Sequence, residues 1–143
     1  MRIWIVQGVN LDQLGTREPE IYGHQTLTDI HNELGEIGKR EGIEISPFHS
    51  NFEGEIVEKI HEAGKQADGL IINPGAFSHY SYAIRDALSG IQIPKIEVHI
   101  SNIYAREAFR TLSVTAPACI GVITGLGTRG YEYALLEIKN RLI

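Results

Sequence analysis

Ile3-Trp-Ile-Val6 is followed by Gln7-Gly-Val-Asn-Leu-Asp-Gln-Leu-Gly-Thr-Arg-Glu-Pro-Glu-Ile-Tyr-Gly23, and only then, from Thr26, by a stretch of helical periodicity. The apolar run has the length and β-branched composition of a buried strand. Thr26 to Arg40 places Leu27, Ile30, Leu34 and Ile37 on one face, with Thr26 and Thr28 both suited to cap its start. A second Ile-rich run at 43–48 comes next. Strand, helix and strand in this order form the repeating unit of a parallel sheet.

The unit recurs along the chain. Further apolar runs lie at 69–73, 95–100 and 118–124. Between them, Phe52 to Lys65 repeats Ile56, Ile60 and Ala63 at helical spacing, and Tyr82 to Ser89 carries Ala83, Ile84, Ala87 and Leu88. A last helix, Tyr131 to Leu142, carries Tyr131, Leu135, Ile138 and Leu142. Right-handed crossovers then give an α/β fold, a flavodoxin-like three-layer sandwich on a five-stranded parallel sheet of order 2-1-3-4-5. The 143 residues make one domain, 1–143, large enough for a good core.

Composition narrows the function classes. Hydrophobic residues at 43% and charged residues at 22% suit a soluble globular protein. No apolar run spans a membrane, and the N-terminal segment lacks a signal-peptide core, so the sequence predicts a cytoplasmic protein. The lone cysteine, Cys119, excludes an intrachain disulfide and reads as a buried strand residue. A net charge of −5 argues against nucleic acid as a partner.

The connection from Gln7 to Gly23 is long for a strand-to-helix link, and such loops in compact domains usually carry function. Ligands of open parallel sheets bind beyond the carboxyl ends of the strands. That edge collects Asn10, Arg17 and Tyr22 after the first strand, and His49, Ser50 and Asn51 after the second. Asn73 and His79 follow the third, and Glu97, His99 and Ser101 end the fourth. Glu97 and His99 are two apart in a strand and share a face. A carboxylate there fixes the imidazole's tautomer. An edge ion pair or a hydrogen-bonded core histidine is the bland alternative. A metal site of His79, His99 and Glu97 is disfavoured, because no HExxH-like pair or cysteine ligand supports it. Gly125-Leu-Gly-Thr-Arg-Gly130 fits a dinucleotide fingerprint, but no strand follows it, so a tight turn and close helix packing are expected instead. Lys39, Lys59, Lys65, Lys95 and Lys139 all fall away from this edge, which leaves no lysine for an imine. A phenol, guanidinium, imidazole and amides suit proton abstraction beside a carbonyl.

The sequence resembles the type II 3-dehydroquinate dehydratases. The markers are Leu14-Gly-Thr-Arg-Glu-Pro-Glu-Ile-Tyr-Gly23, Ile72-Asn-Pro-Gly-Ala76, Ser78-His79, Ser81, Arg85-Asp-Ala-Leu88, Ile96-Glu-Val-His-Ile-Ser-Asn102, Ala105-Arg-Glu107, Phe109-Arg110 and Gly125-Leu-Gly127 with Gly130-Tyr131. The resemblance implies reversible anti elimination of water from 3-dehydroquinate, in the shikimate or quinate pathway, with no metal or organic cofactor. It further implies a small-molecule substrate and subunits assembled as trimers into a dodecamer. Tyr22 would take the proton alpha to the ketone. A phenol is a poor base unless a neighbouring cation favours the phenolate, and Arg17 would supply that cation. Asn10 would position a water on the enolate oxygen, and His99, oriented by Glu97, would protonate the departing hydroxyl. Ile100 and Ser101 would hold the substrate carboxylate where a helical turn begins. Asn73, His79 and Arg110 would bind the ring hydroxyls, and Asp86 would enter from a neighbouring subunit. The chain departs from the family pattern at Gln7, Val9, Asp12, Tyr82, Ala108 and Thr111-Leu112. Asp12 would set a negative charge near an anionic substrate. A non-catalytic binding module and a sugar-phosphate isomerase are the competing readings. Retention of both Tyr22 and His99 speaks against the first, and the absence of a phosphate cradle against the second.

Overall fold

The computed structural model describes residues 1–143. Its five strands are β1 (Arg2–Gln7), β2 (Glu44–His49), β3 (Gly69–Asn73), β4 (Lys95–His99) and β5 (Gly121–Thr124), all parallel, in the order β2-β1-β3-β4-β5. The period of two along each strand divides the core. Ile3, Ile5, Ile71, Ile96 and Val98 face α2 (Leu27–Glu41) and α5 (Arg129–Leu142). Val6, Leu70 and Ile72 face α3 (Glu53–Gln66) and α4 (Tyr82–Ser89). Central strands β3 and β4 are buried throughout, as strands covered on both faces must be, whereas edge strands β2 and β5 are partly exposed.

Local signals set the element ends. Thr26 caps α2 through a reciprocal pair with Asp29, and Gly42 ends it in the left-handed region. Two differences from the sequence reading stand out. The fifth strand starts at Gly121 rather than 118, because Pro117 sits in a 3₁₀ turn, Ala116–Ala118, that precedes it. Cys119 therefore lies before the strand, where burial and, secondarily, the Glu97 carboxylate push its thiol up to about 12, which leaves it unreactive. The long first connection is also not structureless. It contains a 3₁₀ turn, Leu11–Gln13, and a single helical turn, α1 (Pro19–Tyr22).

The loops after β1 and β3 meet back to back. A Cβ on Gly8 would fall 2.2 Å from the Pro74 carbonyl oxygen, and one on Gly75 would fall 2.7 Å from the Val9 carbonyl oxygen. Only hydrogen side chains allow the backbones this close, and their contact builds the floor of a cleft at the carboxyl edge of the sheet.

Candidate active site

The cleft has both polar and apolar walls, the mix expected of a small-molecule site. Of the residues expected at the site, Asn10, Arg17, Tyr22, Asn73, His79, His99, Ile100, Ser101 and Arg110 line it. Glu97 lies behind His99, fully buried. Asp86 is exposed on α4, away from the cleft. No lysine reaches the lining.

His99 projects from the last residue of β4, where it shares a face with Glu97. Its Nε2–H donates to Glu97 Oε2 at 2.8 Å, which leaves Nδ1 as the remaining ring nitrogen. The carboxylate takes two more donors. Ser113 Oγ donates to Oε2 at 2.8 Å, and Thr115 Oγ1 donates to Oε1. A buried carboxylate is tolerated when its oxygens are satisfied in this way. Ser113 and Thr115 carry no periodic signal, since they follow an irregular segment. Only their placement beneath β4 brings them to Glu97.

The first connection folds over the opposite wall. Asn10 adopts a left-handed conformation, φ 68°, and its backbone N–H donates to Asn51 Oδ1 at 2.7 Å. Asparagine tolerates this region better than most residues. Glu18 is also left-handed, φ 45°, at the start of α1, which delivers Tyr22 to the cleft. Arg17 lies over the Tyr22 ring, 5.9 Å from its centroid. The decisive contact is made by a residue to which the sequence reading gave no role. Arg106 Nη1 donates to the Tyr22 hydroxyl at 2.5 Å and to Ser101 Oγ at 3.3 Å, while Nη2 reaches Glu18 Oε2 at 3.4 Å. Arg106 follows β4 between two 3₁₀ turns, Ile103–Ala105 and Ala108–Thr111. Its membership of Ala105-Arg-Glu107 was the only signal available.

His79 Nδ1–H donates to the Leu112 carbonyl at 2.7 Å, and its ring packs edge-on against Phe109 at 5.5 Å. Burial holds this imidazole below the usual histidine range; the Leu112 bond opposes that, while His99 and Arg110 add to it. Arg110 is clamped by Glu107 at 2.6 Å. Ile100 and Ser101 sit where β4 ends, but the helical turn begins at Ile103, with Asn102 as its cap. Asp12 is turned away from the cleft. Its carboxylate lies 3.7 Å from His49 Nε2 and 3.4 Å from Asn51 Nδ2, so the charge expected near the ligand faces the end of β2 instead. Gly125 and Gly127 make a tight turn with φ of 88° and 65°, and a Cβ on Gly130 would lie 3.2 Å from Val98, in keeping with turn and packing roles.

This arrangement has close relatives. The family model described as Dehydroquinase class II matches residues 1–139. The chain belongs to the class II dehydroquinase family. It is an enzyme of the hydro-lyase class. The 3-dehydroquinate dehydratase of Bacillus subtilis (strain 168) is 53% identical over 96% of this chain and 93% of its own length. That of Clostridium perfringens (strain 13) is 52% identical over 99% and 98%. The type II dehydroquinase of Butyrivibrio crossotus superposes with a TM-score of 0.95 at 48% identity, covering 97% of each chain. A 3-dehydroquinate dehydratase-like protein from Bifidobacterium longum gives 0.76 at 30% identity, covering 99% and 98%.

Proposed function

We propose that this enzyme catalyses the reversible anti elimination of water from 3-dehydroquinate, giving 3-dehydroshikimate through an enolate. The observation that carries this reading is the pairing, in one cleft, of a phenol gripped by Arg106 with an imidazole braced by a buried carboxylate. Tyr22, with the Arg106 and Arg17 guanidinium groups beside it, removes the C2 proton alpha to the ketone. The electron pair moves to the carbonyl oxygen, where a water held by Asn10 stabilises the enolate. Collapse of the enolate expels the C1 hydroxyl, which takes a proton from the His99 imidazolium and leaves as water. Proton return from Tyr22 to His99 closes the cycle. Ile100 and Ser101 hold the carboxylate. Asn73, His79 and Arg110 hold the ring hydroxyls, with the neutral His79 offering Nε2 as an acceptor. No step needs a metal or organic cofactor. The same reading places the enzyme in the cytoplasm, on the shikimate or quinate pathway, as a dodecamer of trimers in which Asp86 completes a neighbour's site.

The test is the ultraviolet absorbance of the conjugated enone when purified protein meets 3-dehydroquinate. Wild type should produce it. Tyr22→Phe and His99→Ala should lose turnover far more than they lose affinity for the product, because each acts mainly in the transition state. An assembled wild-type protein that binds the substrate without forming the enone would instead be a binding module.

A further inference from the structure

Behind the cleft, four side chains from four elements join in a single hydrogen-bonded row. The Gly75 backbone N–H donates to Asn73 Oδ1 at 3.1 Å, and Asn73 Nδ2 donates to the Tyr131 hydroxyl at 2.9 Å. The Tyr131 hydroxyl donates to Gln7 Oε1 at 2.8 Å, and Gln7 Nε2 lies 3.3 Å from His31 Nε2. Gln7 ends β1 directly beside Asn73, the end of β3, while Tyr131 comes from α5 and His31 from α2. Gln7 and Tyr131 are wholly shielded from solvent and Asn73 almost so, so these groups have only each other as partners.

The row admits one polarity. A backbone N–H can only donate, so Asn73 turns its oxygen to Gly75 and its nitrogen to Tyr131. The Tyr131 oxygen, already accepting, gives its single proton to Gln7, whose oxygen must face it. The Gln7 nitrogen therefore points at His31, and His31 Nε2 accepts as the bare nitrogen of a neutral ring. Burial, helped by His49, holds His31 below the usual histidine range, in agreement with that state. Reversing any member would set two donors or two acceptors head to head where no water relieves them. One hydrogen on Asn73 Nδ2 stays uncommitted, and Asn73 lines the cleft.

We propose that Gln7 is a positioning residue for ligand binding: by taking the Tyr131 proton it commits the Tyr131 oxygen to accept from Asn73 Nδ2, and so holds the Asn73 amide, turned by the Gly75 N–H, in the pose that meets the substrate. The inference rests on the dehydratase reading for its kinetic readout alone. Gln7→Leu and Tyr131→Phe, made singly and together, should each raise KM about tenfold with kcat held within about threefold, since Asn73 binds ground and transition states alike. The double variant should be no worse than the poorer single one, because both break the same row. KM within about twofold of wild type in both single variants, or a fall in kcat at unchanged KM, would overturn the proposal as a merely structural role leaves KM in place. Should Gln7→Leu fail to fold, Tyr131→Phe decides, as it removes one oxygen from an otherwise intact ring. Should the wild type not dehydrate 3-dehydroquinate, the function reading falls and the row is judged by the crystal structure of Tyr131→Phe. An Asn73 side chain rotated away from Gly75 supports the proposal, and an unmoved one overturns it.

Discussion

Replacing Arg106 by glutamine keeps most of the side chain's length and removes its charge. The guanidinium is only 10% exposed, its Nη1 touches the Tyr22 hydroxyl at 2.5 Å, and its centre lies 5.1 Å from the ring centroid. Two unit charges about 4 Å apart attract by about 4 kcal/mol at an effective dielectric of about 20. Arg17, exposed and 5.9 Å from the same centroid, keeps part of the field. Water entering the vacated space screens more. About half the attraction, ~2 kcal/mol, should then be lost from the charged Tyr22, which corresponds to a roughly thirtyfold fall in kcat. Arg106→Lys should fall between the two, because one ammonium cannot serve Tyr22, Ser101 and Glu18 together. Initial rates of enone formation at saturating substrate measure the effect, with circular dichroism as the control for folding. A kcat for Arg106→Gln within threefold of wild type would refute the reasoning and leave Arg17 as the sufficient cation.

Three other outcomes follow from the geometry. Asp12→Asn should leave KM within about twofold of wild type even at low ionic strength, because the carboxylate faces His49 and Asn51 rather than the cleft; a several-fold drop in KM that salt abolishes would contradict this placement. Gly8→Ala drives a Cβ to 2.2 Å from the Pro74 carbonyl oxygen and should cost about 3 kcal/mol or more in urea unfolding, at the upper end for overpacking; a cost near zero would mean that the two loops do not meet. Stability should also fall on acidification before the carboxylates titrate. His31 and His79 both have folded values below the ordinary 6.5, so the unfolded chain binds more protons between the two values. Their contribution is fully present above pH 6.5 and is lost as pH falls through the folded values. Denaturant midpoints that are flat from pH 7 down to pH 5 would show that these rings are not held neutral.

The sheet was legible because its evidence is local. Ile-rich runs alternate with helical stripes such as Leu27, Ile30, Leu34 and Ile37, and the observed strand order is the one this alternation implies. Strand polarity also located the site, since Asn10, Tyr22, Asn73 and His99 all follow or end strands at one edge. The period of two makes the Glu97–His99 contact readable from the chain alone.

What escaped the sequence depends on directions in space. Asp12 sits beside Asn10 in the chain, yet the 3₁₀ turn at Leu11–Gln13 sends the one charge toward His49 while the cleft takes Asn10. Arg106, Ser113 and Thr115 lie in irregular segments, where no period tells which way a side chain points. Gln7 and Tyr131 are 124 positions apart and meet only because α5 packs on the face of β1. Periodicity and composition thus determined the strands, the helices and the edge that holds the site, for these are consequences of local sterics and of which residues leave water. The partners of each polar group, and with them the grip on Tyr22 and the orientation of Asn73, were decided by tertiary packing, because a buried donor or acceptor must be satisfied by whatever the fold brings near, regardless of distance along the chain.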